Sequence, residues 1–134
     1  MTHDLARRAV ACAQWRWAPG MLSRCDTDTR RSVYRWLAGL DTRHYGIVCV
    51  VEDKHRRPCR SVATLQPGPD DLPDLTDQAT LGCLLGLVRL ARLDQRVHVR
   101  ARANRWRCYS GVTPVGDWAD TEAEALVAAL EAAP

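Results

Sequence analysis

"RVHVRARANRWRCYSGVTPVGDWAD", residues Arg96 to Asp120, decides how this chain folds. Val97, Val99, Ala101 and Ala103 alternate with His98, Arg100 and Arg102, the period of two that a half-buried strand requires. Asn104 tolerates turn backbone and is placed to reverse the chain, so that "RWRCYSGV" returns as the second arm of a hairpin and "VGDWAD" follows as a further short strand. Strands joined through such short turns run antiparallel. Helical patterns flank this meander on both sides, and no strand–helix–strand alternation or glycine-rich phosphate loop occurs anywhere. The expected class is therefore α+β: an antiparallel sheet packed with about three helices, in a single domain spanning residues 1–134.

Working outward, Thr121 and Glu124 form a T-x-x-E capping box, and Ala123, Leu126, Val127 and Leu130 give the last helix an apolar stripe. Upstream, "TDQATLGCLLGLVRLARL" predicts a helix with Thr76 as cap and Asp77 in its first turn. Leu81, Leu84, Leu85, Val88 and Ala91 follow helical spacing, and Leu87 and Leu90 widen the stripe, so burial over much of the girth is expected. Gly82 and Gly86 fall four apart on one face, where each costs about 1 kcal/mol relative to alanine; close approach of another element would offset that cost. "QPGPDDLPDLTD", with three prolines and a glycine, reads as an ordered loop.

Earlier in the chain, the β-branched run Ile47 to Val51 predicts a strand buried on both faces, with "RSVATL" as its partner. Residues 29–40 fit both a helix stripe and a strand, and the Val, Tyr and Trp content favours the strand. Residues 4–14 read as a helix capped by Thr2, and "WRWAPGM" as a short strand entering a Pro19-Gly20 turn.

At 134 residues, with 46% hydrophobic and 26% charged side chains, the chain is long enough to bury a core without staples. No apolar run approaches the ~20 residues that span a bilayer, and "MTHDLARRAVACAQW" does not resemble a signal peptide; a cytoplasmic setting is expected. Arginine outnumbers lysine 18 to 1, as in proteins from GC-rich genomes. Six cysteines, at 12, 25, 49, 59, 83 and 108, form no close pair of the kind that turns two thiolates onto one zinc ion, so buried reduced thiols are expected and neither a metal nor a cofactor. Four scattered histidines sit in no recognised nucleophile setting, and the paired carboxylates lie in loops or helix starts where solvation and the helix dipole account for them. The chain is therefore read as a non-enzyme.

The net charge is only +3, but it is unevenly spread. Lys54, Arg56, Arg57 and Arg60 cluster in "KHRRPCR", and the hairpin carries Arg96, Arg100, Arg102, Arg105 and Arg107. With its apolar face on the core, the hairpin presents these arginines on the other face, with Trp106 and Tyr109 available for stacking. Such a surface suits a nucleic-acid backbone; the same arginines equally suit protein carboxylates, the acidic 70s segment, the last helix or plain solvation. The five tryptophans, at 15, 17, 36, 106 and 118, serve either as core or as a binding platform.

"LPDLTDQATLGCLLGLVRLAR", "DTEAEALVAALEAAP" and "WRWAPGM" resemble segments of small accessory proteins of tailed phages and prophages from GC-rich proteobacteria. Gln78 stands where that pattern favours proline, and Leu90 where it favours glutamate. The resemblance covers about a third of the chain, chiefly cap and core positions. It implies a phage setting, in which small proteins without catalytic motifs bind host proteins and inhibit bacterial defences, anti-CRISPR proteins among them. Two roles follow: a binder that inhibits a host defence complex, or a nucleic-acid-binding accessory protein that uses the arginine-rich hairpin.

Overall fold

The computed structural model describes residues 2–26, 31–38, 46–52, 58–65, 67–68 and 70–134. In chain order they form α1 (Thr2–Ala11), β1 (Leu22–Asp26), β2 (Arg31–Ala38), β3 (Gly46–Glu52), β4 (Pro58–Leu65), β5 (Asp71–Pro73), α2 (Gln78–Ala91), β6 (Val97–Arg102), β7 (Arg105–Ser110), β8 (Thr113–Ala119) and α3 (Glu122–Glu131). The class is α+β, with the strands shared between two antiparallel sheets rather than gathered in one. The backbone groups into two compact units, Arg16–Thr80 and Met1–Trp15 with Leu81–Pro134.

In the unit Arg16–Thr80 the sheet order is β4-β3-β2-β1-β5. Pairing of Ser23 with Tyr34, Tyr34 with Val50, and Trp36 with Val48 sets these side chains on one face, and Trp17 packs its ring 5.6 Å from that of Trp36. "WRWAPGM" supplies this core without being a strand: residues 15–18 have no regular structure, and the first strand begins at Leu22. The Pro19-Gly20 turn does form, with Gly20 at φ 97° donating its N–H to the Trp36 carbonyl at 2.7 Å.

The run Ile47 to Val51 is a strand paired with β4, as its composition predicts, but only one of its faces is covered. Val48 is 0% exposed, whereas Ile47 is 43% and Val51 40% exposed. An antiparallel sheet presents alternate residues to opposite sides, so a continuous apolar run leaves half its side chains outside when one face alone is packed.

The proline-rich segment also departs from a plain loop. Asp71–Pro73 pair with Cys25, Arg24 and Ser23 as an edge strand, where the missing N–H of Pro73 costs no ladder bond. Arg24 then reaches Asp74 at 2.7 Å. Asp77, not Thr76, caps α2: its Oδ2 accepts the Thr80 N–H at 2.9 Å and the Thr80 hydroxyl at 2.8 Å. The same carboxylate receives both Nη groups of Arg35, at 2.7 and 3.0 Å, while Thr76 donates to Asp74 instead.

In the second unit α1 already includes Thr2 and stops at Ala11, short of Gln14. Arg8 joins it to α3 through two bonds to Glu131, at 2.9 and 2.7 Å. The capping box of Thr121 and Glu124 forms as its spacing predicts. α2 buries Thr80, Leu81, Leu84, Leu87 and Val88 and half-buries Cys83, Leu85, Arg89 and Ala91, so it is covered over much of its girth as the spacing predicts. After its first residue the exposed positions are the stripe Ala79, Gly82, Gly86 and Leu90, the last 63% exposed. Gly82 and Gly86 lie on the open side, where an added Cβ at either meets nothing within 4 Å. Among the described residues no element approaches them to offset their helix cost. The helix closes with Leu93 at φ 51°, its N–H donating to the Leu90 carbonyl and the Asp94 N–H to the Arg89 carbonyl, an arrangement usually built on glycine.

Candidate nucleic-acid interface

The three-stranded sheet β6-β7-β8 is where the arginine-rich hairpin lies. Ala103 and Asn104, at φ 50° and 59°, make the two-residue turn. That turn fixes the register, and the register decides which side chains share a face. Val97, Val99 and Ala101 oppose Ser110, Cys108 and Trp106. This is the side α3 packs on, and the Cys108 thiol donates to the Ala125 carbonyl at 3.4 Å. The covered part ends before Ala101, which is exposed together with Arg102, Ala103 and Asn104.

His98, Arg100 and Arg102 oppose Tyr109, Arg107 and Arg105 on the other face, which no helix of this unit covers. Trp106 therefore stands on the wrong side to assist Arg100 and Arg102. Trp118 takes that place from β8, with the Arg107 guanidinium 5.7 Å from its ring centroid. The register shift between Trp106 and Cys108 moves β8 out of simple alternation, so counting along the sequence does not reveal that Trp118 joins the arginines.

The face is an interleaved row of cations and rings. Arg100 lies 5.3 Å and Arg107 6.0 Å from the Tyr109 centroid, and the His98 ring stacks on Tyr109 at 5.8 Å and 20°. Backbone carbonyls hold two of the arginines in place: Arg107 Nε donates to Gly116 at 2.8 Å and Arg105 Nη2 to Trp118 at 2.9 Å. His98 Nδ1 donates to the Arg96 carbonyl at 2.9 Å.

Charge compensation differs along the row. Arg96 is held by Asp94 at 3.1 Å, and Asp94 also accepts from the Ser110 hydroxyl. The Arg96 side chain, the Ser110 hydroxyl and the Arg96 N–H together keep the Asp94 carboxyl far below the usual carboxylate range. Arg105 has a loose partner in Asp120 at 3.8 Å. Among the described residues Arg100, Arg102 and Arg107 have no carboxylate within ion-pair distance. Other described carboxylates are engaged with partners of their own: Asp74 with Arg24, Asp77 with Arg35, Glu131 with Arg8, and Glu124 in the helix cap.

Lys54, Arg56 and Arg57 lie outside the described residues, as does the side chain of Arg60 in β4. Among the described residues no three His, Cys, Asp or Glu side chains gather to hold a metal ion. Cys12, Cys49 and Cys108 are free thiols, and burial pushes the Cys108 thiol up to about 11. Trp15, Trp17 and Trp36 are buried, leaving Trp106 and Trp118 as the half-exposed pair. Compared with protein families, curated proteins and solved structures, the chain finds no match.

Proposed function

We propose that this chain is a non-catalytic nucleic-acid-binding protein that uses the open face of β6-β7-β8. One observation carries the reading: Arg100, Arg102 and Arg107 project from a rigid sheet with no neutralising carboxylate among the described residues, interleaved with Tyr109 and Trp118. Unneutralised arginines on a rigid support bind phosphate with little loss of side-chain freedom, because the planar fork is pre-organised. Their attraction arises from release of counterions and so weakens steeply with salt. The test is fluorescence anisotropy with a labelled 20-nucleotide strand. Arg100→Glu with Arg102→Glu is expected to lower affinity at least about tenfold, and unchanged affinity in a folded double variant overturns the reading.

A second reading is favoured by a different observation. Leu37, Ile47, Val51 and Val62 are exposed on β2, β3 and β4, Val62 by 67%. Exposed apolar side chains on neighbouring strands suit a protein partner, in keeping with a phage-encoded inhibitor, anti-CRISPR-like, that binds a host defence complex in the bacterial cytoplasm. No helix among the described residues is long and apolar enough to cross a membrane. Pull-down of the tagged chain from a bacterial lysate, with and without nuclease, separates the two: a stable protein complex that resists nuclease and requires Ile47 and Val62 supports this second role, and loss of every partner on nuclease treatment removes it.

A further inference from the structure

We infer that the open face recognises single strands by stacking their bases, rather than duplexes by their backbone; this rests on the nucleic-acid reading above and names its substrate. The row across the sheet runs Arg100, Tyr109, Arg107, Trp118, with successive guanidinium-to-ring separations of 5.3, 6.0 and 5.7 Å. Planar groups of both kinds accept nucleobases, aromatic rings through their faces and arginine through its flat guanidinium. A duplex has its bases stacked on one another and offers such a row only phosphates. Tyr109 and Trp118 would then contribute nothing.

Shape points the same way. Elements that read duplex sequence enter the major groove as a helix or a two-stranded ribbon. Here the row crosses three strands, from Arg100 on β6 to Trp118 on β8, and adjacent strands lie about 4.8 Å apart. The result is a platform, broader than a groove-entering ribbon. The aromatic side chains are half-buried between the arginines, so their orientation is held before any ligand arrives. Arg107 is central: it contacts both rings, and its Nε is anchored on the Gly116 carbonyl, which fixes the plane of its guanidinium.

The experiment compares three labelled probes of equal length: a single strand, its duplex, and an abasic strand that keeps phosphates and sugars but has no bases. The single strand is expected to bind at least about tenfold more tightly than the abasic strand, the order expected for one or two stacked bases, and more tightly than the duplex. Tyr109→Leu with Trp118→Leu should reduce single-strand binding to the abasic level. Arg107→Lys keeps the charge and loses the plane, so it should weaken single-strand binding by a larger factor than it weakens abasic binding; an equal loss on both probes counts against stacking at Arg107. Equal binding of single and abasic strands, or tighter binding of duplex, overturns the stacking inference while leaving the nucleic-acid reading intact. Absence of binding to all three overturns both.

Discussion

At Cys108 a single buried atom ties stability to pH. Its thiol is held up to about 11 by burial in the core beneath α3, whereas an exposed cysteine ionises near 8.5. Between these values the unfolded chain gives up a proton that the native state keeps. The contribution is therefore complete below about pH 8.5 and is lost as pH rises toward 11. Urea titrations at pH 7.5 and pH 10 should show a lower midpoint at the higher pH, with a smaller drop in Cys108→Ala. At pH 8 a thiol reagent should label Cys108 last among the described cysteines. Gly82 and Gly86 supply a second test at this scale. Because a methyl at either position meets open space, Gly82→Ala and Gly86→Ala should each stabilise the protein by about 0.5–1 kcal/mol. Thermal unfolding should rise by a few degrees for each, and a fall would mean that something covers this side of α2. Sequence spacing placed the two glycines on one face of a helix; whether that face was covered depended on tertiary packing, which spacing does not encode.

At the scale of elements, caps and turns explain both what was legible and what was not. Thr121 and Glu124 satisfy each other's backbone donors locally, so four residues suffice to read that helix start. Thr76 and Asp77 are both good caps, and the choice between them is made by Arg35, 42 residues away, which pairs with Asp77. Asp77→Ala should cost about 2–3 kcal/mol by removing the cap and leaving Arg35 without its carboxylate; Asp77→Asn, which keeps a capping oxygen, should cost less. Burial opposes ionisation of Asp74 and Asp77, yet hydrogen bonds from Thr76 and Arg24, and from Arg35 and Thr80, hold both below the usual carboxylate range. Their contribution is thus present above about pH 4, where unfolded aspartates ionise, and disappears as pH falls through the lowered native values. Acid unfolding followed by circular dichroism should show Asp77→Asn losing less stability between pH 5 and pH 2 than the parent chain. In the hairpin, Ala103 occupies left-handed backbone that costs a residue with a Cβ about 1 kcal/mol. Ala103→Asn, paired with Asn104→Gly, should raise the unfolding temperature by several degrees, because these are the preferred residues of such a turn.

Over the whole molecule the decisive feature is how charge is distributed, since a net charge of +3 hides it. Asp74, Asp77, Glu124 and Glu131 are committed to caps and ion pairs, and among the described residues Arg100, Arg102 and Arg107 on one sheet face have no carboxylate within ion-pair distance. Period-two alternation was enough to place Arg100 and Arg102 together and opposite Val97 and Val99. The same alternation along β7 sets Trp106 with Cys108, on the face opposite Arg105 and Arg107. It did not show that Trp118 joins the row, because the irregularity between β7 and β8 breaks the alternation there. The α+β class was legible because strand and helix periods differ; the division of the strands into two sheets was not, because pairing between distant strands leaves no local mark. The most direct test of the central claim is the slope of log affinity for a single-stranded oligonucleotide against log salt concentration, measured between about 50 and 200 mM. Three or four arginine contacts give an expected slope of about −2 to −3, shallower by about 1.5 when Arg100→Gln and Arg102→Gln are combined. A flat slope, or one that the double variant leaves unchanged, would contradict the account.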